Sequence, residues 1–333
     1  MSDEDHFRGW RDSGLPPDSP GTVLTVGTFD GVHLGHQDVL AGIARRAAAT
    51  GLHSVLVTFD PHPLEVVRPE HAPSLLTVGW EKLEQVAPLG IGYMAIVPFT
   101  PTLREFTAEQ FVREVLIRRF HMRELVIGYD HHFGKGREGG VETLRALGAR
   151  LGFRVDVVGA VTGVDDQPIS SSRIRRAIAA GDLETAAVGL GRPYSVSGVV
   201  EAGERRGRLL GFRTINLGAP PERKLLPPTG VYAVRVQSPL GMADGMMNLG
   251  PRPTFGDARV SLEVHLFDVD AELYGAYVKV DFIARLRDTV RFPSAEALVA
   301  QLRVDAEHAR RALTDGRERS NVHVSPPNPV RSR

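Results

Sequence analysis

The chain has 333 residues, a length that suits two domains better than one. Apolar residues make up 42% and charged residues 24%, and lysine plus arginine equal aspartate plus glutamate at 40 each, so net charge favours neither nucleic acid nor an anionic membrane as a partner. The absence of cysteine excludes disulfides and thiolate chemistry. Because no segment has the pattern of a signal peptide or a membrane span, we expect a cytoplasmic protein without nucleic-acid or membrane partners.

Polar, proline-rich segments stand at both ends of the chain, over 1–20 and 315–333, and we expect both to be disordered. Between them the sequence pattern changes once, near "GLGRPYSVSG". We therefore predict one domain over 21–188 and a second over 189–314.

In the first domain, short apolar runs alternate with helical patterns. The predicted strands are, in chain order, "TVLTVG", "HSVLVTF", "GYMAIVPF", "ELVIG" and "FRVDVVGAV". The predicted helices between and after them are "HQDVLAGIARRAAATG", "VGWEKLEQVAPLG", "TAEQFVREVLIRRF", "GVETLRALGARLG" and "SSSRIRRAIAAG". Continuous apolar strands that alternate with helices predict an α/β fold with a parallel sheet covered on both faces. Ligands of such sheets bind at the carboxyl ends of the strands.

In the second domain the helical patterns disappear until the end. Short strands are separated by glycine and proline turns: "YSVSGVVEAG", "GVYAVRVQS", "DGMMNLG", "LEVHLFDV" and "AYVKVDFIARL". This pattern predicts a small antiparallel β-barrel, closed by the terminal helix "SAEALVAQLRVDAEHARRAL".

The turn after the first predicted strand, in "GTFDGVHLGH", concentrates chemistry-bearing residues. Gly27, Gly31 and Gly35 allow a sharp turn and a close approach to a ligand, and a helix is expected to begin near Gly35. The free amides at that helix end favour phosphate. His33 and His36, three residues apart, share one face of the first turn and would flank such a group. Two imidazoles at a helix end supply the donors that phosphoryl chemistry needs.

Two other interpretations of the histidines stay open from the residues alone. The pair could bind zinc, although further ligands would be needed and cysteine is absent. It could also be a pair of surface histidines with a purely structural role.

The stretch "GTFDGVHLGH" resembles the G-x-F-D-G-x-H-x-G-H signature of bacterial FAD synthetases, within the wider nucleotidyltransferases that carry H-x-G-H. The resemblance implies a Rossmann-like sheet in which His33 and His36 contact the nucleotide phosphates and stabilise adenylyl transfer. It also implies that the loop binds ATP through Gly27, Phe29, Gly31 and Gly35.

Two further segments resemble the same family. "TFDPHP" over 58–63 matches the segment after its second strand, and "LVIGYDHHFGKGREG" over 125–139 matches its G-x-D-F-x-F-G-x-x-R-x-G segment, with His131 in place of the usual phenylalanine. The resemblance implies a set of flavin-binding residues, namely Phe59, Asp60, His62, Asp130 and Phe133.

The segment "ISSSRIR" over 169–175 resembles the family's I-S-S-T-x-I-R. It implies that Ser170, Ser171 and Ser172 bind ATP phosphate and that Arg175 is a catalytic phosphate clamp. The residues by themselves favour a capped helix with solvated arginines, and it is their position after His33 and His36 in a Rossmann-like sheet that favours the clamp.

The stretch "GRPYSVSGVVEAGERRGRLLGFRTINLG" resembles the opening of bacterial riboflavin kinase domains, and later segments match as well. The resemblance covers about Thr22 to Leu313 and is to the two-domain bifunctional flavokinase/FAD synthetase family. It implies that Thr214 and Asn216 coordinate Mg²⁺ and that Glu263 is the catalytic base. The implied ATP and flavin contacts of the kinase are Gly207, Arg208, Gly211, Phe212, Gly230 and Tyr232.

The kinase segment departs from the family pattern, since "FRTINL" stands where "FPTANL" is usual. Arg213 relaxes the backbone restraint of a proline and could add a phosphate contact, and Ile215 adds volume where a small side chain is expected. Thr214 and Asn216 remain. For Glu263, a plain surface carboxylate on an alternating strand stays an alternative, because "LEVHLF" places it beside His265 opposite the apolar face.

These observations predict a bifunctional enzyme that converts riboflavin to FMN and FMN to FAD with Mg²⁺ and ATP. Its small-molecule partners are then riboflavin, FMN, FAD and ATP, and the sequence does not predict an oligomeric state. Three alternatives remain: an adenylyltransferase with an impaired kinase, a nucleotidyltransferase for a pantetheine or nicotinamide ester, and a non-catalytic flavin or nucleotide sensor.

Overall fold

The computed structural model describes residues 15–16, 18–129, 133–159, 161–162, 167–203, 211–251 and 260–322. The chain forms two compact units, which divide between Arg173 and Ile174. Each unit is built around its own sheet.

The first unit contains a parallel sheet with helices between its strands. Its elements in chain order are β1 (Thr22–Val26), α1 (Leu34–Thr50), β2 (His53–Asp60), α2 (Pro63–Val67), α3 (Trp80–Val86), β3 (Tyr93–Pro98), α4 (Pro101–Arg104), α5 (Ala108–Gln110), β4 (Met122–Gly128), α6 (Val141–Leu151), β5 (Arg154–Val158) and the start of α7 (Ser171–Ala179). A π-helical segment continues α5 over Phe111–Ile117, and 3₁₀ turns occur at Pro69–His71, Ala87–Leu89 and Lys135–Arg137.

The five strands pair in parallel in the order β3-β2-β1-β4-β5, which confirms the predicted sheet. The chain builds outward from β1 to β3, then returns to β4 on the other side of β1. In sheets of this kind a crevice opens where the order reverses, beyond the carboxyl ends of the central strands. The loop over residues 27–33 begins at that point.

Both faces of the sheet are buried, which explains why the strands are continuously apolar. In β1, Val23 packs on the face covered by Leu40 and Ile43 of α1. The next residue, Leu24, packs on the opposite face with Phe111. Alternate side chains therefore serve two separate cores.

The second unit is a closed antiparallel barrel in the order β10-β7-β6-β11-β8-β9, which confirms the predicted architecture. Its elements are α8 (Leu183–Leu190), β6 (Tyr194–Glu201), β7 (Ile215–Leu217), β8 (Gly230–Ser238), β9 (Gly241–Pro251), β10 (Val260–Leu266), β11 (Tyr277–Arg287) and α9 (Ala295–Val322). Closure pairs β9 with β10 and so removes exposed sheet edges.

Helix α9 covers the barrel and runs further than the composition indicated. Its Ala309 and Leu313 pack against Ala233 and Met246 of the barrel strands. The helix continues to Val322, so residues 315–322 are helical where disorder was expected. Polar composition alone does not separate a solvated helix end from a disordered tail, because arginine and glutamate are good helix formers.

The first unit ends earlier than the sequence indicated. The change in pattern near residue 190 marks the first barrel strand, but α8 already packs on β6 and β11 through its buried Leu183 and Leu190. The residues between 174 and 188 therefore belong to the second unit. Among the described residues, no helix combines the length and the apolar character required to cross a bilayer.

Candidate active sites

His33 is the residue that starts α1. Its backbone is extended (φ −72°, ψ 171°), and its Nδ1 accepts a hydrogen bond of 3.4 Å from the backbone N–H of His36. A histidine thus takes the capping role that serine or aspartate usually fills. Because Nδ1 is an acceptor, a neutral His33 carries its proton on Nε2 and can donate it to a ligand.

The two histidine rings stack on each other. Their centroids lie 3.6 Å apart at an interplanar angle of 18°, and Phe29 packs on the other side of His36 at 4.6 Å. Burial, together with the nearby His33 and Lys82, lowers the pKa of His36 well below its ordinary value. The Nδ1 atom of His36 is buried and has no hydrogen-bond partner among the described residues.

This stacking disfavours both alternatives for the histidine pair. Imidazole lone pairs lie in the ring plane, so nearly parallel stacked rings do not converge on one zinc ion. Within the described parts of the chain, no group of three or more metal-binding side chains is arranged to hold a metal ion. Nor is this a surface pair, because His33 is only 7% exposed.

The loop that carries the histidines is strained and anchored. Phe29, Gly31 and Val32 all have positive φ, at 44°, 82° and 41°. That conformation is unfavourable for a phenylalanine and more so for a β-branched valine. Both side chains are buried in the core beside α1, which holds the backbone in place. Phe29 thus supports His36, and the ATP contact that the resemblance implies for this residue stays a prediction.

Asp30 fixes this loop to a distant part of the chain. Its carboxylate accepts hydrogen bonds from the backbone amides of Leu76 and Thr77 at 2.9–3.0 Å and from the Thr77 hydroxyl at 3.3 Å. The amide of Gly31 donates to Thr77 Oγ1 at 3.1 Å and is therefore engaged by protein. Gly35 has a separate role, since a Cβ there would lie 3.3 Å from the His33 ring.

The serines at the start of α7 have divided roles. Ser170 Oγ accepts from the amide of Arg173 at 3.3 Å, which confirms it as a cap, and Ser171 Oγ donates to the Asp30 carbonyl at 2.9 Å. Ser172 is exposed. Arg175 lies one turn after Ser171 on the same helix and is half-buried.

The flavin residues expected from the sequence are only partly brought together. Phe59 and Phe133 are half-buried and both contact Phe111, at ring distances of 6.1 and 5.3 Å, and Phe99 adds a further contact to Phe59 at 5.4 Å. We call Phe59, Phe99, Phe111 and Phe133 the aromatic cluster. Since Phe59 is the penultimate residue of β2 and Phe99 follows β3, the cluster lies at the carboxyl ends of the strands.

The polar members of that expected set differ from one another. Asp60 is exposed at the end of β2. His62 caps α2, since its Nδ1 accepts from the amide of Leu64 at 3.2 Å and its backbone N–H donates to Glu65 Oε1 at 2.6 Å. Asp130 lies outside the described residues.

Lys82 of α3 belongs to this site and was not found from the sequence. Its Nζ donates to the carbonyl of Thr28 at 2.8 Å and to Thr58 Oγ1 at 3.1 Å. In "GWEKLEQV" it has the spacing of an ordinary solvated lysine, so no local signal distinguishes it. The residues that explain it, Thr28 and Thr58, precede it by 54 and 24 positions.

In the second unit, strand register assembles the expected kinase residues. Asn216 of β7 lies directly opposite Glu263 of β10, and Glu263 lies opposite Asn248 of β9. Side chains opposite each other in antiparallel strands share a face. Ser261 Oγ donates to Glu263 Oε1 at 3.1 Å and so orients the carboxylate. A Cβ on Gly203 would lie 2.0 Å from the Asn216 amide, so a side chain there would displace Asn216.

The departures in "FRTINL" are accommodated. Arg213 forms ion pairs with Asp270 at 2.9 Å and Glu272 at 3.2 Å, so its guanidinium is engaged by carboxylates. Ile215 is 8% exposed and pairs with Val264 inside the barrel, so its extra volume is part of the core.

The residue before Thr214 is held by His265 and not by proline. His265 Nδ1 lies 2.7 Å from the Arg213 carbonyl, and the ring contacts Phe212 at 5.2 Å. His265 and Glu263 share the outer face of β10, while Leu262 and Val264 point into the core. The Glu263 carboxylate therefore lies on the outer face of β10, beside Asn216 of the neighbouring strand.

The remaining expected kinase contacts fall into three groups. Gly207 and Arg208 lie outside the described residues. Gly211 has φ +80°, and a Cβ on Gly230 would lie 2.7 Å from the Arg287 carbonyl, so both positions require glycine. Tyr232 is fully buried in the barrel, where it contacts Phe282 at 5.2 Å and donates to the Pro228 carbonyl, so its side chain does not reach a ligand surface.

The first unit has the architecture and the histidine loop of a nucleotidyltransferase, and the second is a small closed barrel with an oriented carboxylate. A family model described as FAD synthetase matches residues 15–173, and one described as riboflavin kinase matches residues 190–313. The chain belongs to the bifunctional riboflavin kinase/FMN adenylyltransferase family.

Proteins with this description are similar over most of the chain. The one from Escherichia coli (strain K12) is 38% identical over 295 residues, covering 87% of this chain and 92% of that protein. The one from Bacillus subtilis (strain 168) is 35% identical over 302 residues, with coverages of 89% and 94%. A crystal structure described as a macrolide-efflux protein from Streptococcus pneumoniae superimposes with a TM-score of 0.77 at 30% identity, covering 88% of this chain and 96% of that one.

Proposed function

We propose that the protein makes FAD from riboflavin in two ATP-dependent steps, one in each unit. The observation that carries the proposal is that each unit keeps its reactive side chains assembled. His33 and His36 stack at the helix end beside the sheet's reversal point, and Asn216 lies opposite Glu263 on the barrel.

In the barrel, the terminal ribityl hydroxyl of riboflavin attacks the γ-phosphorus of ATP. The new P–O bond gives FMN, the bond to the β-phosphate oxygen breaks, and ADP leaves. Glu263 accepts the hydroxyl proton, and Ser261 orients its carboxylate for that task. Gly211, Phe212 and Gly230 shape the binding surface for ATP and flavin.

In the first unit, a phosphate oxygen of FMN attacks the α-phosphorus of ATP. The bond to the β-phosphate breaks, and pyrophosphate leaves with FAD as the other product. His33 donates from Nε2, His36 offers a second imidazole, and Ser172 of α7 holds further phosphate oxygens. The aromatic cluster provides an apolar surface for the flavin ring.

Mg²⁺ suits the chemistry of the kinase residues. Thr214 directly precedes β7 and Asn216 lies within it, and both side chains offer neutral oxygen ligands. Magnesium retains several waters and uses few protein ligands, so two side chains plus ATP phosphates suffice. When bound, Mg²⁺ would neutralise the phosphate charge that develops during transfer.

The test is the product profile of the purified protein with riboflavin, ATP and Mg²⁺. The proposal predicts FMN first, then FAD with pyrophosphate. If added FMN gives FAD while riboflavin is not consumed, the barrel is inactive and the enzyme is only an adenylyltransferase. If neither flavin product forms and the protein still binds FMN, it is a binding protein.

A further inference from the structure

The half-buried amine of Lys82 has no function in the steps above. Its Nζ donates to two neutral oxygens, the Thr28 carbonyl and the Thr58 hydroxyl, and Thr58 in turn donates to the same carbonyl at 3.1 Å. An ammonium has three N–H donors, so one remains. Among the described residues, no carboxylate pairs with this amine at ion-pair distance.

The carboxylates that act on Lys82 do so from a distance, because among the described residues its Nζ bonds only to Thr28 and Thr58. The nearest carboxylates that act on it are Asp30, whose oxygens accept from Leu76 and Thr77, and the exposed Asp60. The other basic group nearby, His36, has its pKa lowered by burial and by His33 and Lys82, so its ring is neutral. Burial lowers the pKa of Lys82, and the opposing carboxylates only partly offset this effect. A buried cation among neutral partners is costly unless an anion binds it.

The position of the amine indicates which anion it serves. Lys82 bridges the loop after β1, which carries the histidines, and the end of β2, which carries Phe59 and Asp60. It therefore lies between the groups that face ATP and those that face the flavin. In adenylyl transfer, that is where the phosphate of FMN must approach the α-phosphorus.

We infer that Lys82 is a further catalytic residue of the adenylyltransferase, and that its Nζ binds the phosphate of FMN and holds it for attack on ATP. The inference rests on the proposed function of the first unit. The residue neutralises one charge of the attacking phosphate, which otherwise repels the triphosphate. It takes no proton and forms no bond in the step.

The experiment compares Lys82→Met and Lys82→Arg with the wild-type enzyme in FAD synthesis from FMN and ATP. We expect Lys82→Met to raise KM for FMN about 10- to 100-fold, as for the loss of one charge-assisted hydrogen bond, and KM for ATP by less than about 3-fold. Lys82→Arg should restore most of the FMN affinity. The matched control is Arg118→Met, which removes an exposed cation at the opposite end of the sheet, before β4.

Riboflavin kinase activity of the same preparations measures the amount of folded barrel, and a retained KM for ATP in FAD synthesis shows that the first unit is folded. Wild-type protein that makes no FAD from FMN refutes the proposed function itself. If wild type is active, an unchanged KM for FMN in Lys82→Met overturns only the inference. Equal changes in both KM values, or failure of Lys82→Arg to restore affinity, overturn it as well, because they indicate a structural role.

Discussion

At the scale of single residues, the lowered pKa of His36 predicts that ATP binding takes up protons. Burial, with the nearby His33 and Lys82, lowers the pKa of His36, so its ring is neutral at pH 7 in the free protein. A bound triphosphate favours the charged ring and raises that pKa. We expect ATP binding to take up protons and to strengthen as pH falls from about 8 to about 6. Calorimetry in buffers of different ionisation enthalpy measures this uptake.

The control for this prediction is His36→Asn, which should remove the proton uptake of the first unit. An unchanged uptake in that variant would assign the proton to another group.

The lowered pKa of His36 also determines how the free energy of unfolding changes with pH. The unfolded chain binds a proton near the ordinary histidine value of 6.5 and the folded ring does not, so His36 makes stability fall as pH decreases below that value.

Arg213 and His265 offer a second comparison between single residues. The partners of Arg213 are 98% and 67% exposed, and surface ion pairs contribute little, so Arg213→Ala should change kinase kcat and KM for ATP by less than about 3-fold. His265→Phe keeps a ring beside Phe212 but removes the bond to the Arg213 carbonyl. It should lower riboflavin phosphorylation about 10-fold, since one hydrogen bond that positions Thr214 is lost.

Steady-state kinase assays decide between these expectations, with FAD synthesis from added FMN as the internal control. If Arg213→Ala is as damaging as His265→Phe, the guanidinium contacts substrate. In that case Arg213 does more than pair with the surface carboxylates of Asp270 and Glu272.

At the scale of elements, the loop after β1 is positioned by a segment 46 residues away. Removing the carboxylate of Asp30 leaves the buried amides of Leu76 and Thr77 without acceptors, at a cost of about 1–3 kcal/mol for each unsatisfied group. We expect Asp30→Ala to lower the unfolding temperature of the first unit and to reduce FAD synthesis at least about 10-fold, with kinase activity retained. Thermal denaturation and both assays measure these effects.

Thr77→Val is the milder variant, because it removes the hydroxyl contacts to Asp30 and Gly31 but keeps the backbone amide bond. Its effects should be smaller than those of Asp30→Ala in both measurements. An unfolding temperature that Asp30→Ala leaves unchanged would contradict the anchoring role.

The elements that could be predicted from sequence are those with a long periodic signal. Continuous apolar strands alternating with amphipathic helices predict the parallel sheet. Alternation along "LEVHLF" likewise predicts that Glu263 lies on the outer face of its strand. Both patterns are local in the sequence. The short helices α2 and α4 were not predicted, because a segment of four or five residues is too short to show a helical periodicity.

The site was predictable to the same extent. The histidines stand beside glycines in a continuous stretch, so their loop could be recognised. Asp30 lies in the same stretch, yet its carboxylate bonds the distant amides of Leu76 and Thr77. Lys82 likewise depends on residues far away in the chain. Contacts over such separations leave no spacing pattern in a single sequence.

At the scale of the whole molecule, two compact units carry two half-reactions that share one intermediate. FMN is the product of the barrel and the substrate of the first unit under the proposed function. His36→Ala should stop at FMN when given riboflavin, and Glu263→Gln should make FAD only from added FMN. Each variant therefore retains the activity that the other one lacks.

Mixing the two variants tests whether FMN passes through solution. Since each reactive set lies within one unit, with His33 and His36 in the first and Glu263 in the second, an equimolar mixture should convert riboflavin to FAD. Chromatography of the flavins over time should show FMN accumulate and then decline, and each variant alone is the control. The contrary outcome is a mixture that forms FMN but no FAD, although Glu263→Gln alone converts added FMN. It would mean that the His36→Ala variant does not release its FMN into solution.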